Sequence, residues 1–171
     1  MAAALAVVTL SGCGTSSSVA PARKQTIELN WHEAPGPPGN RLIVNVQRLI
    51  IRRDGWTVAA SIENETRGTL TIGRRHRRHG TEFGVLVLPS PRADAVAKAG
   101  PGIFATRFSP TAPSRLRPGQ RWKGTFSGPG PLPIGGFVRI ELGSFGSSRP
   151  ERPISRKFRY ITNHALRLRR A

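Results

Sequence analysis

Two runs of alternating apolar residues, "RLIVNVQRLIIRR" and "WTVAASIEN", flank Asp54-Gly55. An Asp-Gly pair between such runs is the strongest short signal for a β-hairpin, because a two-residue turn needs positive φ angles that Gly supplies freely. A two-residue loop there pairs Arg53 with Trp56, Ile51 with Val58 and Leu49 with Ala60. Leu49, Ile51, Val58, Ala60 and Ile62 then share one face. Leu42, Val44 and Val46 have the opposite parity, so a β-bulge is expected near Gln47-Arg48 to keep them on that face.

Further period-2 stretches predict strands at Thr26 to Asn30, Thr69 to Ile72, Glu82 to Leu88, Arg121 to Phe126, Phe137 to Leu142 and Lys157 to Ile161. In "RWKGTF", Trp122 and Phe126 face one way and Arg121, Lys123 and Thr125 the other. In "FVRIEL", Val138, Ile140 and Leu142 alternate with Phe137, Arg139 and Glu141. Both read as half-buried antiparallel strands. Two stretches, "PRADAVAKAG" and the C-terminal "NHALRLRRA", read as short helices. With 19 Gly and 15 Pro among 171 residues, many short strands joined by turns are favoured over long helices. The expectation is one all-β domain, an antiparallel immunoglobulin-like sandwich of seven to eight short strands over residues 40–162. Trp31, Trp56 and Trp122 read as core or edge packing.

Two motifs carry a family resemblance. Asn64-Glu65-Thr66 closes the second long strand, and "LRPGQRWKGTF", Leu116 to Phe126, follows the pattern L-x-P-G-x-x-x-x-G-x-F. Together they resemble the immunoglobulin-like domains of bacterial exported lipoproteins, including those grouped as immunoprotective extracellular antigens. The resemblance covers about Asn40 to Ile161. It implies fold and an exported location, and it brings no shared enzymatic chemistry. The Pro-rich stretch Pro89 to Pro118 and the basic surface depart from the family's pattern.

Residues Ala2 to Leu10, "AAALAVVTL", form an uncharged apolar run of signal-peptide length, too short to span a bilayer, which takes about 20 residues. Leu10-Ser11-Gly12-Cys13 then matches a bacterial lipobox, in which the Cys thiol takes a diacylglycerol thioether and becomes the mature N-terminus. Two or more acyl chains anchor a protein stably. Residues 1–12 are therefore read as a lipoprotein signal peptide. The basic n-region expected before it is missing, so the true start is expected upstream. Residues 13–39 read as the acylated Cys13 and a Gly/Ser/Pro tether, and 163–171 as a basic tail. Cys13 is the only cysteine, so no internal disulfide can form.

The chain carries 27 Lys and Arg against 9 Asp and Glu, a formal net charge of +18. A field of that size attracts anionic lipid, polymer or nucleic acid in a salt-dependent way. The densest cluster is "GRRHRRHG", where Arg74, Arg75, Arg77 and Arg78 surround His76 and His79. Arginines on a loop suit anionic oxygens, each offering two parallel donors. The same four cations repel a metal ion, so no metal or cofactor is expected there. Arg149, Arg152, Arg156 and Arg159 read as ordinary solvated arginines. Asn64 heads a formal glycosylation sequon, but Asn serving a turn is the favoured reading.

No serine or cysteine stands in a triad signature near His32, His76, His79 or His164, and no carboxylates pair in a recognisable motif. No catalytic residue is therefore assigned. The functional expectation is a lipid-anchored, non-enzymatic domain on the outer face of the plasma membrane or another envelope membrane. Its basic surface would contact anionic lipid, wall polymer or an envelope protein, with no specific nucleic-acid partner. The alternatives are a basic nucleic-acid-binding protein and an envelope hydrolase; the second requires the fold to gather a His and a carboxylate.

Overall fold

The computed structural model describes residues 24–73, 82–92, 102–148 and 157–169. Among these residues there is no helix. Two antiparallel sheets face each other across a single core. The first sheet contains β1 (Gln25–Glu33), β2 (Leu42–Ile51), β3 (Gly55–Asn64), β9 (Arg121–Pro129) and β7 (Arg107–Ser109), in that spatial order. The second is built on β10 (Phe137–Ser147). Along one side of β10 lie β5 (Phe83–Leu88) and β4 (Leu70–Ile72), end to end. Along the other side lie β11 (Lys157–Ile161) and β12 (Leu166–Arg167). Outside them β6 (Ile103–Phe104) pairs with β5, and β8 (Arg115–Leu116) with β4. The twelve strands exceed the seven or eight expected by the short strands β6, β7, β8 and β12, each of two or three residues.

The β2–β3 hairpin forms, and its inward set is the one the alternation predicts. Leu49, Ile51, Val58, Ala60 and Ile62 are all buried. The bulge falls between Val46 and Arg48, which returns Leu42, Val44 and Val46 to the core. The register differs from expectation by two residues: Ile51 pairs with Trp56 and Leu49 with Val58. Arg52 N donates to Gly55 O at 2.8 Å, so Arg53 and Asp54 occupy the turn and Gly55 opens the strand. Gly55 is needed there because a Cβ would lie 2.5 Å from Gly128 O on β9. A two-residue shift preserves parity, which is why the core face survived the error.

Phe83 fills the centre of the core from the second sheet. Its ring meets Trp122, Phe126 and Phe108 edge-on, with centroids 5.8, 5.3 and 5.6 Å away. Such contacts add to the area these rings bury. The side of the sandwich next to β7 is closed by backbone. Ala105 N donates to Phe83 O in the second sheet, and Thr106 N donates to Ser127 O in the first, so the chain changes sheets between them.

Three expectations are corrected. The sheet begins at Gln25, within the segment read as tether, so β1 is a full nine-residue strand. The tail "NHALRLRRA" is no helix: Leu166 and Arg167 pair with Val138 and Phe137. Arg139 and Glu141, expected on a solvated face, are both buried. Arg159 engages Glu141 through two hydrogen bonds, and Arg139 Nη2 donates to Pro91 O at 2.6 Å. Leu86 and Leu88 are buried on the same outer face with Phe137 and Ile161 packed against them. The helix expected at "PRADAVAKAG" lies almost wholly outside the described residues.

Gly124, the second Gly of the L-x-P-G-x-x-x-x-G-x-F pattern, is fixed by close packing. A Cβ there would lie 2.7 Å from Ser109 O and 2.8 Å from Pro110 Cδ. Gly124→Ala should push β7 off β9 and lower stability by about 1–3 kcal/mol, the usual range for overpacking. Denaturant unfolding of the two proteins measures this; an unchanged midpoint would show that β7 is not held by close packing.

Candidate functional site

Cys13, Arg74, Arg75, Arg77 and Arg78, with His76 and His79, lie outside the described residues. The points where the basic loop leaves and rejoins the sheet are described. Gly73 N donates to Ser144 O at 2.6 Å, and Ser144 Oγ donates to Glu82. β4 and β5, which precede and follow these residues in sequence, lie one after the other along the same side of β10 and do not pair with each other.

Arg159, read from sequence as solvated, is held by Glu141, and that carboxylate's hydrogen bond raises its pKa further. Other exposed cations gather at one end. At the end of the sandwich where β1 begins, Lys24, Arg52, Arg53, Arg107, Arg167 and Arg169 are all exposed, with Asp54 as the exposed carboxylate among them. Backbone contacts hold this end together. Gln25 pairs with Ile51 beside the turn, Gly130 N donates to Asp54 O at 3.0 Å, and Gly135 N donates to Leu168 O at 2.8 Å.

A cleft of about 340 Å³ opens at this end. Thr57, Ser127 and Arg107 stand in line across β3, β9 and β7, since Thr57 pairs with Ser127 and Ser127 with Arg107. They face outward because their neighbours Trp56, Val58 and Phe126 face the core. Arg52 Nη1 donates to Thr57 Oγ1 at 3.0 Å, which brings a second guanidinium over the same row. Asp54 and Thr106 complete the rim. Two guanidiniums, three hydroxyls and one carboxylate suit an anionic oxygen group that also carries hydroxyls.

On the side of the sandwich opposite β7, a carboxylate bridges the sheets. Glu33, at the end of β1, is buried. It accepts hydrogen bonds from Tyr160 OH, from Asn163 N at 2.8 Å, from His164 N at 3.1 Å and from His164 Nδ1 at 2.7 Å. Trp31 stacks on the His164 ring with centroids 5.4 Å apart. Burial pushes the carboxyl's pKa up, but these donors together outweigh burial and hold it below its ordinary value near 4.5. Burial and the adjacent carboxylate raise the Tyr160 pKa. A carboxylate that orients an imidazole is part of a hydrolytic triad, and the fold does bring one together. Among the described residues no hydroxyl or thiol hydrogen-bonds His164 Nε2, and no group of three His, Cys, Asp or Glu could hold a metal. The sequence offered no signal for this cluster, because its members are some 130 positions apart.

The two resemblance motifs dock onto each other. Asn64 is fully buried, and its amide donates to Gly68 O at 2.8 Å and Leu116 O at 2.9 Å. Its Oδ1 accepts from Thr66 N at 3.0 Å and from the Thr66 hydroxyl at 2.7 Å. Its backbone holds the Pro-Gly turn, through Gly119 N to Asn64 O at 2.7 Å and Asn64 N to Gln120 O at 3.0 Å. Asn64 serves the turn, with both amide hydrogens engaged. No family model, curated protein or solved structure matches this chain.

Glu33→Ala leaves Tyr160 OH and two backbone N–H groups without their acceptor, and should cost about 2–4 kcal/mol. Because the folded-state pKa is lowered, Glu33's ionisation contributes stability that is present above about pH 4.5 and lost as pH falls through the lowered value. Urea unfolding between pH 3 and 7 should show a shallower acid limb in Glu33→Ala than in the parent protein. Parallel acid limbs would mean that Glu33 does not bridge the sheets.

Proposed function

We propose that this protein is a lipid-anchored component of a bacterial cell envelope, whose immunoglobulin-like sandwich works by binding and carries out no chemistry. The observation that carries this reading is Leu10-Ser11-Gly12-Cys13, with the thiol placed directly after an apolar run. The fold supports it, because an all-β sandwich begins at Gln25, twelve positions after Cys13. A domain so close to its anchor works at the membrane surface. Docking of the Asn64 turn onto the Pro-Gly turn supports the immunoglobulin-like assignment, since these are the motifs that carry the resemblance. The basic surface supplies the binding chemistry, towards anionic lipid or wall polymer.

Expressed in a bacterium with lipoprotein maturation, the protein should incorporate labelled fatty acid and partition into the membrane fraction. Cys13→Ala should abolish labelling and release the chain from detergent-extractable membrane. A mature N-terminus other than Cys13, or recovery from the cytosol with nucleic acid that survives a high-salt wash, would overturn the reading.

A further inference from the structure

The basic end of the sandwich is the end at which β1 begins. Lys24 leads into β1, and Gln25 pairs with Ile51, one residue before Arg52. The chain therefore reaches the sandwich at the end that carries Arg52, Arg53, Arg107, Arg167 and Arg169. Eleven positions separate Cys13 from Lys24, which limits the connection to about 40 Å at full extension. The opposite end mixes Arg67, Arg115 and Arg117 with Glu63 and Glu65, and Glu65 is paired with Arg41.

We infer that this end is a docking surface for an anionic phospholipid membrane, with one headgroup phosphate seated between Arg52 and Arg107. The inference rests on the lipoprotein reading for its geometry, since the chain from an anchored Cys13 enters the sandwich at this end. The cleft favours a phosphate that carries a polyol. The guanidiniums of Arg52 and Arg107 flank the Ser127 row and take the anionic oxygens, and Asp54 accepts from headgroup hydroxyls. Arg53 at the turn, Arg167 in β12 with its guanidinium over the Phe137 ring, and Arg169 beyond β12 lie outside the cleft at the same end and extend the field over neighbouring headgroups. The surface is assigned to lipid over wall polymer because the cleft and Lys24, where the chain from Cys13 enters the sandwich, share one end.

The test uses the full chain carrying Cys13→Ser, so that no acyl chain contributes to binding. Cosedimentation is measured with phosphatidylglycerol-containing vesicles and with phosphatidylcholine vesicles. The protein should bind the first more tightly than the second, and the difference should shrink as salt rises. A basic residue near an anionic surface is worth roughly fivefold in affinity. Arg52→Ser/Arg53→Ser/Arg107→Ser should thus weaken binding on the order of 100-fold. The equal-charge control, Arg67→Ser/Arg115→Ser/Arg117→Ser, should weaken it by less than about threefold. All six side chains are exposed, so both variants should unfold within a few degrees of the parent.

Equal losses in the two variants would overturn the inference, leaving only the field of the whole chain. Binding to soluble poly(glycerol phosphate) that exceeds vesicle binding at equal phosphate would also overturn it, by transferring the surface to a polymer. Fatty-acid labelling of Cys13 is independent of these arginines. Labelling with equal losses keeps the anchor and removes the surface; selective loss without labelling keeps the surface and removes the anchor.

Discussion

The Glu33 carboxylate sits where the free edge of β1 approaches the corner between β11 and β12. Among the described residues, no backbone hydrogen bond joins these two edges. On the far side the chain itself crosses from sheet to sheet at Ala105 and Thr106. Here one side chain performs the equivalent task, by accepting from Tyr160 and from the amides of Asn163 and His164. A buried carboxylate would ordinarily take up a proton; this one stays ionised because four donors converge on it. Its consequences extend along the chain. The corner it fixes leads directly into Leu166 and Arg167, and Leu168 then packs in the core against the connection after β9. The position of the C-terminal arginines thus depends on a residue at the other end of the sequence.

The core of the first sheet was legible because it depends only on period. Leu49, Ile51, Val58, Ala60 and Ile62 stay inward under any even shift of register. The bulge near Gln47 was legible for the same reason, as a change of parity within one strand. The turn register was not, because Gly55 is required by the approach of Gly128 O, a contact between strands far apart in sequence. Arg139 and Glu141 look solvent-facing by alternation. Their burial depends on Arg159 and Pro91, which no local pattern reveals. In the tail, Leu166 and Leu168 stand two apart, the spacing of a strand face, and Leu166 pairs with β10 accordingly.

The candidate site was legible in its chemistry and not in its place. A net charge of +18 predicts anionic partners without saying where they bind. The densest arginine run, residues 74–78, drew attention as a cluster in sequence. The described basic end is assembled instead from Lys24, Arg52, Arg53, Arg107, Arg167 and Arg169, which only the fold brings together. Hairpin turn, sheet-crossing segment and C-terminal strand each contribute one part. The proposed lipobox, Leu10 to Cys13, is by contrast wholly local, so it can be read without any tertiary information. Joining the two gives the account its central claim, that the anchored end and the basic end are the same.

A depth measurement tests that claim most directly. With Cys13 acylated, a single engineered thiol can be spin-labelled at either end of the sandwich, as Arg53→Cys or as Arg117→Cys. In the membrane-bound, acylated protein, the label at position 53 should lie at the headgroup level and be accessible to lipid-soluble relaxant. The label at position 117 should stand about 30 Å further out, the length of a ten-residue strand, and respond only to the aqueous relaxant. Equal depths for the two labels, or the reverse order, would contradict the account.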